Sequence, residues 1–378
     1  MELVVRKNDL LRELQFFQSI VERKNTIPIL ANVLMEARDD EVRFLATDLE
    51  VGLRSKCAAS VSKSGSLTLP AKKFYEIVRS LPETDIRISE DKGGVKVAAE
   101  RFDSRMQTLP REDFPTLPES GAVGAAPRAT LPRAVLREMV TKTAFAITGE
   151  DTRYYLNGAL FILKSDTMSL VATDGHRLAL VSVHRDGGTE RVRAVGDADE
   201  IKAILPRKTL GELARLLQEG DADIQYERGE NHLFFDVGGR LLISRMIDGQ
   251  FPAYERVIPK GNDKRIDFER DRLTNAVRRV ALLSNERSRA VKFHIEPGKV
   301  DVTSSSPDLG EARETLPVEY AGAEMQICFN AQYVLDFLAA VTTDVVSLEL
   351  KDEVSQVVMR PVGAETYDYT YVIMPMRV

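Results

Sequence analysis

The chain has 378 residues, of which 43% are hydrophobic and 29% charged, and it carries a formal net charge of −6 at pH 7. That length exceeds what one core serves, so two or three domains are expected, and the acidic balance argues against a protein that coats nucleic acid over its whole surface. No stretch approaches the roughly 18 apolar residues of a membrane span, the start Met1-Glu-Leu-Val-Val-Arg-Lys-Asn-Asp lacks the apolar core of an export signal, and Cys57 and Cys328 form neither a CxxC pair nor a framework. A reducing cytoplasm is the expected compartment.

In chain order the same pattern recurs three times, at a spacing of roughly 125–137 residues that suits tandem domains. Each copy opens on a short strand and an amphipathic helix, at Leu3-Val-Val-Arg-Lys-Asn-Asp-Leu-Leu, Ala129-Thr-Leu-Pro-Arg-Ala-Val-Leu and Ile266-Asp-Phe-Glu-Arg-Asp-Arg-Leu. In the second copy Leu131, Val135, Leu136, Met139 and Val140 recur at helical spacing. A second helix follows in each copy, beginning at Pro70, Pro206 and Asn330, where proline in the first turn and asparagine as N-cap mark helix starts. The spacing predicts helices over 10–24, 71–82, 133–143, 206–218, 270–283 and 331–341. Between them run short strands, Val42–Ala46, Glu50–Arg54, Ser66–Leu69, Asp85–Ser89 and Gly94–Ala98 with later counterparts, so each copy is an α+β domain of two helices on antiparallel sheet. Boundaries fall in Pro115–Pro127 and near Asp248–Pro252, giving domains over 1–120, 128–251 and 253–378.

The densest signal is Ser169–Val183, two apolar runs flanking Thr173-Asp174-Gly175. An Asp-Gly pair in that setting predicts a tight hairpin, because glycine accepts the positive φ the turn needs. His176 and Arg177 then put polar tips beside Leu178, and the aromatic run Arg153-Tyr-Tyr-Leu-Asn-Gly158 precedes it. The segment Tyr371-Val-Ile-Met-Pro-Met-Arg-Val378 is too apolar to lie bare, and it is expected to dock beside His176 and Leu178, forming a peptide-binding cleft. Met374 and Met376 suit a wall that accepts several partners, since methionine is flexible and polarisable.

The six predicted helices carry about +9 between them in a chain of net −6, with only the sixth, whose one charge is Asp336, on the acidic side. Their cations include Arg12, Arg23, Lys24, Lys72, Lys73, Arg79, Arg133, Arg137, Lys142, Arg207, Lys208, Arg215, Arg278 and Arg279. A cationic helical surface in an acidic chain would attract a phosphate backbone without reading bases. Enzyme chemistry has little support. His176, His184, His232 and His294 lie in no metal-ligand spacing, and no GxSxG elbow, P-loop or GxGxxG is present. The repeated Ala-Thr-Asp at Ala46–Asp48 and Ala172–Asp174 lacks the Asp-Thr-Gly order of a paired-aspartate protease, so Asp48 and Asp174 are read as turn residues that bond their own backbone.

On Thr26-Ile-Pro-Ile-Leu30, Ala46-Thr-Asp-Leu-Glu50, Thr108-Leu-Pro110, Asp113-Phe-Pro115, Arg153–Gly158, Ala172–Leu178, Val257-Ile-Pro259, Leu283-Ser-Asn-Glu286 and Tyr371–Arg377, the chain resembles the bacterial DNA polymerase sliding clamp family, the β subunit of the replicative polymerase, over essentially its whole length. The resemblance implies three tandem repeats of the DNA-clamp fold in a head-to-tail homodimeric six-domain ring around double-stranded DNA. It implies a processivity factor in DNA replication with no catalytic site, no cofactor and no metal. Its partners would be the replicative polymerase, a clamp loader, and other polymerases, mismatch-repair and ligase proteins bound through short linear motifs of the Gln-Leu-x-Leu-Phe type; a specialised second copy of the clamp is the alternative. The deep part of the family's cleft maps onto Leu156, Thr173, Gly175, His176, Arg177, Leu178, Pro252, Arg256, Val257, Val372 and Met374. The shallow part maps onto Arg153, Tyr154, Tyr155, Tyr333, Val354, Pro375, Met376 and Arg377, with arginines or backbone fixing the peptide's polar ends. DNA contacts map onto Lys24, Lys72, Glu150, Tyr154 and Tyr155. Glu150 departs from the pattern as a carboxylate, and Lys24 and Lys72 replace arginine, keeping the charge without its bidentate fork. The dimer edge would pair Leu282 and Leu283 with the region Phe102–Leu109.

Overall fold

The structure is a computed structural model and describes residues 1–21, 26–91, 93–121, 128–149, 152–184, 200–363 and 366–377. The first repeat contains β1 (Glu2–Arg6), α1 (Lys7–Ile20), β2 (Asn32–Arg38), β3 (Glu41–Thr47), β4 (Val51–Ala58), β5 (Ser60–Lys63), β6 (Gly65–Pro70), α2 (Ala71–Ser80), β7 (Asp85–Asp91), β8 (Gly94–Ala99) and β9 (Phe102–Met106). The second contains β10 (Arg128–Leu131), α3 (Arg133–Thr143), β11 (Gly158–Lys164), β12 (Thr167–Thr173), β13 (Arg177–His184), β14 (Glu200–Pro206), α4 (Arg207–Leu216), β15 (Ile224–Arg228), β16 (His232–Val237) and β17 (Arg240–Arg245). The third contains β18 (Lys264–Glu269), α5 (Arg270–Ala281), β19 (Ala290–Glu296), β20 (Lys299–Ser306), β21 (Gly310–Pro317), β22 (Met325–Asn330), α6 (Ala331–Ala340), β23 (Val345–Leu350), β24 (Val357–Val362) and β25 (Asp368–Ile373). The six described α-helices, two to each repeat, each overlap a predicted span, although α1 begins three residues earlier than expected and ends at Ile20, and residues 22–24 of its predicted span lie outside the described residues.

Helical spacing explains what each helix buries. α1 turns Leu10, Leu14, Phe17 and Ile20 inward, and the Phe17 ring sits 6.1 Å from Phe44 of β3. β3 alternates, with Val42, Phe44 and Ala46 buried and Arg43 and Leu45 half-exposed, as period 2 demands. α5 likewise buries Leu273, Ala276, Val277 and Val280, and the Asn330 side chain caps α6 by accepting the Gln332 N–H at 2.9 Å. Each fully buried aliphatic or aromatic side chain of these stripes contributes roughly 1.5–3 kcal/mol of hydrophobic stabilisation.

The sheets do not stop at the repeat boundaries. One eight-stranded sheet runs β10-β15-β16-β17-β4-β3-β2-β6, joining second-repeat to first-repeat strands where Leu242 faces Leu53. Another runs β14-β11-β12-β13-β25-β24-β23-β18, joining second to third where Leu178 faces Val372. The remaining sheets, β5-β1-β7-β8-β9 and β21-β20-β19-β22, belong to the first and third repeats alone. Packing therefore gathers the chain into two compact units, one built chiefly of Met1–Arg137 and Lys208–Met246, the other of Glu138–Gly188, Glu200–Arg207 and Ile247–Val378. The division runs through the second repeat, whereas sequence reading places boundaries in the linkers.

Both Ala-Thr-Asp segments form the same turn. Thr47 Oγ1 donates to the Val51 carbonyl and accepts the Leu49 N–H, while Asp48 Oδ1 accepts the Glu50 and Val51 N–H groups. Thr173 Oγ1 donates to the Arg177 carbonyl and accepts the Gly175 N–H, while Asp174 Oδ1 accepts the His176 and Arg177 N–H groups. Both aspartates are turn residues. The copies differ at the positive-φ position, Leu49 at 79° in one and Gly175 at 86° in the other.

Candidate functional site: a cleft at the β12–β13 hairpin

Within the second compact unit, β12 and β13 pair from Thr167–His184 to Thr173–Leu178, which sets the Asp174-Gly175-His176 tip at the end of the sheet. β25 then lies along β13, with Leu178 opposite Val372 and Arg177 opposite Ile373. Past the strand, the Met374 N–H bonds the His176 carbonyl at 2.9 Å and the Met376 N–H bonds the Cys328 carbonyl at 2.8 Å. The apolar segment docks beside His176 and Leu178 because its strand is inserted between β13 and β24 and its backbone bonds continue past the strand end.

Arg153, Leu156, Thr173, Gly175, His176, Arg177, Leu178, Pro252, Tyr254, Val257, Val372 and Met374 line a cavity of about 170 Å³. Beneath it a buried cluster of Leu160, Ile162, Val171, Leu178, Ile204, Val358 and Val372 makes a rigid apolar floor. Leu156 closes a single turn of 3-10 helix, Tyr154–Leu156, and another, Tyr254–Arg256, carries the opposite wall. A Cβ added at Gly175 would stand 3.1 Å from the Arg153 guanidinium, so that side chain lies beside the tip and would have to shift by a few tenths of an ångström.

Of the residues mapped to the deep subsite, Leu156, Thr173, Gly175, His176, Arg177, Leu178, Pro252, Val257, Val372 and Met374 are thus brought together; Arg256 is exposed and outside the lining. Tyr254 takes that place, and burial, then neighbouring Glu255, pushes its hydroxyl up to about 12. The signal for it was an aromatic two positions after Pro252 in a loop that must fold back on the hairpin. Arg153, mapped to the shallow subsite, lines the deep one.

The other shallow-subsite residues lie outside this cavity. Tyr154 is exposed and its ring meets Tyr155 edge-on at 5.8 Å. Val354 is 68% exposed, in a loop where Asp352 Oδ1 accepts the Val354 and Ser355 N–H groups. Pro375 and Met376 are half-buried and Arg377 exposed.

Arg177 departs from expectation. Its side chain is only 9% exposed, and its donors are committed inside the protein: Nε to Asp174 Oδ2 at 3.0 Å, Nη1 to Asp336 Oδ2 at 2.5 Å, Nη2 to the Phe145 carbonyl at 2.7 Å. The guanidinium also lies 4.3 Å from the Tyr333 ring centroid. Burial opposes its charge, but Tyr371, Asp336 and Asp174 outweigh burial and hold it above its ordinary range. It therefore lines the wall without being available to a peptide's polar ends, and Arg153 is the cation at the mouth. Asp336, the lone charge of the sixth helix, faces this arginine, which explains why that helix breaks the basic pattern.

The basic helices also need correction. Arg133 is buried and donates to the carbonyls of Ala222, Leu216 and Glu219, and Lys142 is buried between Glu138 and the Ala340 carbonyl. Lys208 is bound to Asp48. These three are structural cations. Lys73, Arg79, Arg137, Arg207, Arg215, Arg278 and Arg279 are exposed, and Lys72 on α2 is half-exposed. Lys24 and Glu150 lie outside the described residues. Leu282 is 74% exposed just after α5, with Leu283 half-buried beside it. In the other unit Phe102 is exposed at the start of β9, an edge strand.

The chain matches the N-terminal, central and C-terminal domains of the DNA polymerase III beta subunit over residues 1–118, 130–253 and 255–377. A beta sliding clamp of Pseudomonas putida is 36% identical, with 100% of both chains covered. Crystal structures of sliding clamps from Pseudomonas aeruginosa and Bartonella birtlesii, each bound to griselimycin, align over 100% of both chains with TM-scores of 0.91 and 0.92 at 35% and 36% identity. With three domain families matched in order and full-length relatives above a third identical, the chain belongs to the DNA polymerase III beta-subunit family, the beta sliding clamps, and is a processivity subunit of DNA replication without a catalytic site of its own.

Proposed function

We propose that the cleft at the β12–β13 tip receives short linear peptides from replication and repair proteins, and that the chain pairs head to tail with a second copy in a six-domain ring around duplex DNA. The observation that carries the first half is the cavity of about 170 Å³, apolar at its floor and bounded by Gly175, Met374 and Arg153. Such a cavity takes an apolar anchor of the Gln-Leu-x-Leu-Phe kind, with Tyr154, Tyr155, Tyr333, Val354, Pro375, Met376 and Arg377 meeting the adjoining residues. At about 25 cal/mol per Å² of apolar area, two anchors give micromolar affinity after ordering costs. The replicative polymerase, the clamp loader, other polymerases, mismatch-repair proteins and ligase are the partners this chemistry suits.

Lys24, Lys72, Tyr154 and Tyr155 serve the DNA side, where a sequence-independent cationic lining suffices. Leu282 and Leu283 serve the dimer edge, with the Phe102–Leu109 region as partner. The three domains are those bounded near residues 120–128 and 251–253. The full-length similarity to beta sliding clamps favours the replicative duty over a specialised second copy. No described helix is long and apolar enough to cross a membrane, and we place the protein in the cytoplasm with the replication machinery.

Fluorescence anisotropy of a labelled Gln-Leu-x-Leu-Phe-type peptide, titrated with the chain and with a version lacking residues 374–378, tests the cleft. Micromolar binding that disappears with the truncation is expected. Binding that survives it would remove Met374 and its neighbours from the site.

A further inference from the structure

The tip that forms the cleft is anchored through Asp336, which is not among the residues lining the cavity. Its backbone is folded by its own Thr173 and Asp174, as in the first repeat. What the first repeat lacks is the arginine, since Val51 stands where Arg177 does and the second oxygen of Asp48 takes Lys208 instead. There Gly52 replaces Leu178, and Leu117 packs so closely that a Cβ on Gly52 would stand 2.4 Å from its Cδ1. Both turns are thus tied to a helix of the next repeat, but the second copy alone of the two makes the tie with a side chain of its own turn, Arg177, reaching Asp336 of α6, where the first accepts Lys208 of α4.

That tie has three strands. Arg177 Nη1 bonds Asp336 Oδ2 at 2.5 Å, its guanidinium lies over Tyr333, and the Tyr371 hydroxyl donates to the Tyr333 carbonyl at 2.9 Å. Asp336 Oδ1 in turn accepts Gln332 Nε2 at 2.7 Å, so the carboxylate is held from both sides. Without Asp336 the Arg177 guanidinium would keep only Asp174, on the tip itself rather than on a helix, as a carboxylate partner, and removing one partner of a buried pair makes the remaining arrangement costly to hold. Moving the guanidinium carries the Arg177 backbone, and with it Gly175, His176 and Leu178.

Resting on the peptide-cleft reading, we propose that Asp336 is a positioning residue for the pocket. It is not among the residues that line the cavity. Through Arg177 it fixes the tip that forms one wall, and through Tyr333, one turn away on α6, it ties that wall to the shallow subsite.

The test compares Asp336→Asn, which removes the charge and keeps the shape, with Val346→Ala, a cavity in β23 among residues that neither line the pocket nor form its floor. Peptide affinity by anisotropy and thermal stability are measured on both in the full chain. Asp336→Asn is expected to weaken the peptide about tenfold. Val346→Ala is expected to lower the melting temperature while leaving affinity within about twofold. Wild-type affinity in Asp336→Asn would overturn the inference, as would an equal loss in Val346→Ala, which would mean that stability alone is being read. Failure of the unmodified chain to bind peptide would overturn the cleft reading itself, a distinct result.

Discussion

Arg240 grips Glu13 with both ends of its guanidinium fork, Nε to Oε2 at 2.9 Å and Nη2 to Oε1 at 2.6 Å, with both side chains almost fully buried. The pair ties α1 of the first repeat to β17 of the second inside one compact unit, and the guanidinium also lies 4.3 Å from the Phe16 ring centroid. Removing one partner of a buried pair strands the other. Glu13→Ala is expected to destabilise by about 3 kcal/mol, somewhat softened by Glu219, which reaches Arg240 at 3.5 Å. Urea unfolding checks this, and a loss below about 1 kcal/mol would show the pair to be dispensable.

The two Thr-Asp turns predict opposite outcomes for opposite substitutions. Leu49 holds φ at 79° while exposed, so Leu49→Gly is expected to leave stability unchanged or raise it by up to about 1 kcal/mol. Gly175→Ala should cost about 1–2 kcal/mol, and it should also weaken peptide binding by pushing on Arg153. Chemical denaturation of both variants, with anisotropy for the second, decides the matter; equal effects at the two sites would refute the argument.

Burial raises the Glu212 carboxyl above its ordinary value, against the opposing pull of Ser19, Arg215 and Lys208. The folded state therefore holds that proton more tightly than the unfolded one, and its contribution to stability declines as pH rises from the ordinary glutamate value through the raised one. Glu212→Gln still accepts from Ser19, whose Oγ lies 2.6 Å away, and cannot ionise. Its stability relative to the parent should increase from pH 4 to pH 7. A pH-independent difference in urea midpoints would exclude this source.

Leu282, 74% exposed just after α5, belongs to the dimer edge proposed above. Leu282→Ala combined with Leu283→Ala is expected to yield monomers in light scattering, with the fold of each unit intact. A double variant that stays dimeric would exclude this edge as the principal contact.

Much of this was legible in the sequence because it depends on local periodicity. The alternating buried positions of β3, the Leu10–Leu14–Phe17 stripe of α1 and the Asp174-Gly175 turn need only neighbours to be specified. The docking of Tyr371–Met374 was legible because an apolar strand must be covered. The inward turn of Arg177 was not, since a cation in a polar tip reads as solvated until Asp336 and the Phe145 carbonyl are brought to it by tertiary packing. Arg133 and Lys142 misled for the same reason: carbonyls of remote segments draw them inward, and of their partners only Glu138, four residues before Lys142, follows from helical spacing. The merging of repeats into shared sheets was hidden too, because a strand pattern does not say which neighbour it pairs with.

The pairing of β25 on β13 also orders events in time. A ribosome makes the hairpin long before it makes Val372 and Met374, so the nascent hairpin presents a bare strand edge and half a pocket throughout synthesis of the third repeat. The pocket wall therefore depends on a strand made about 190 residues after the hairpin it completes.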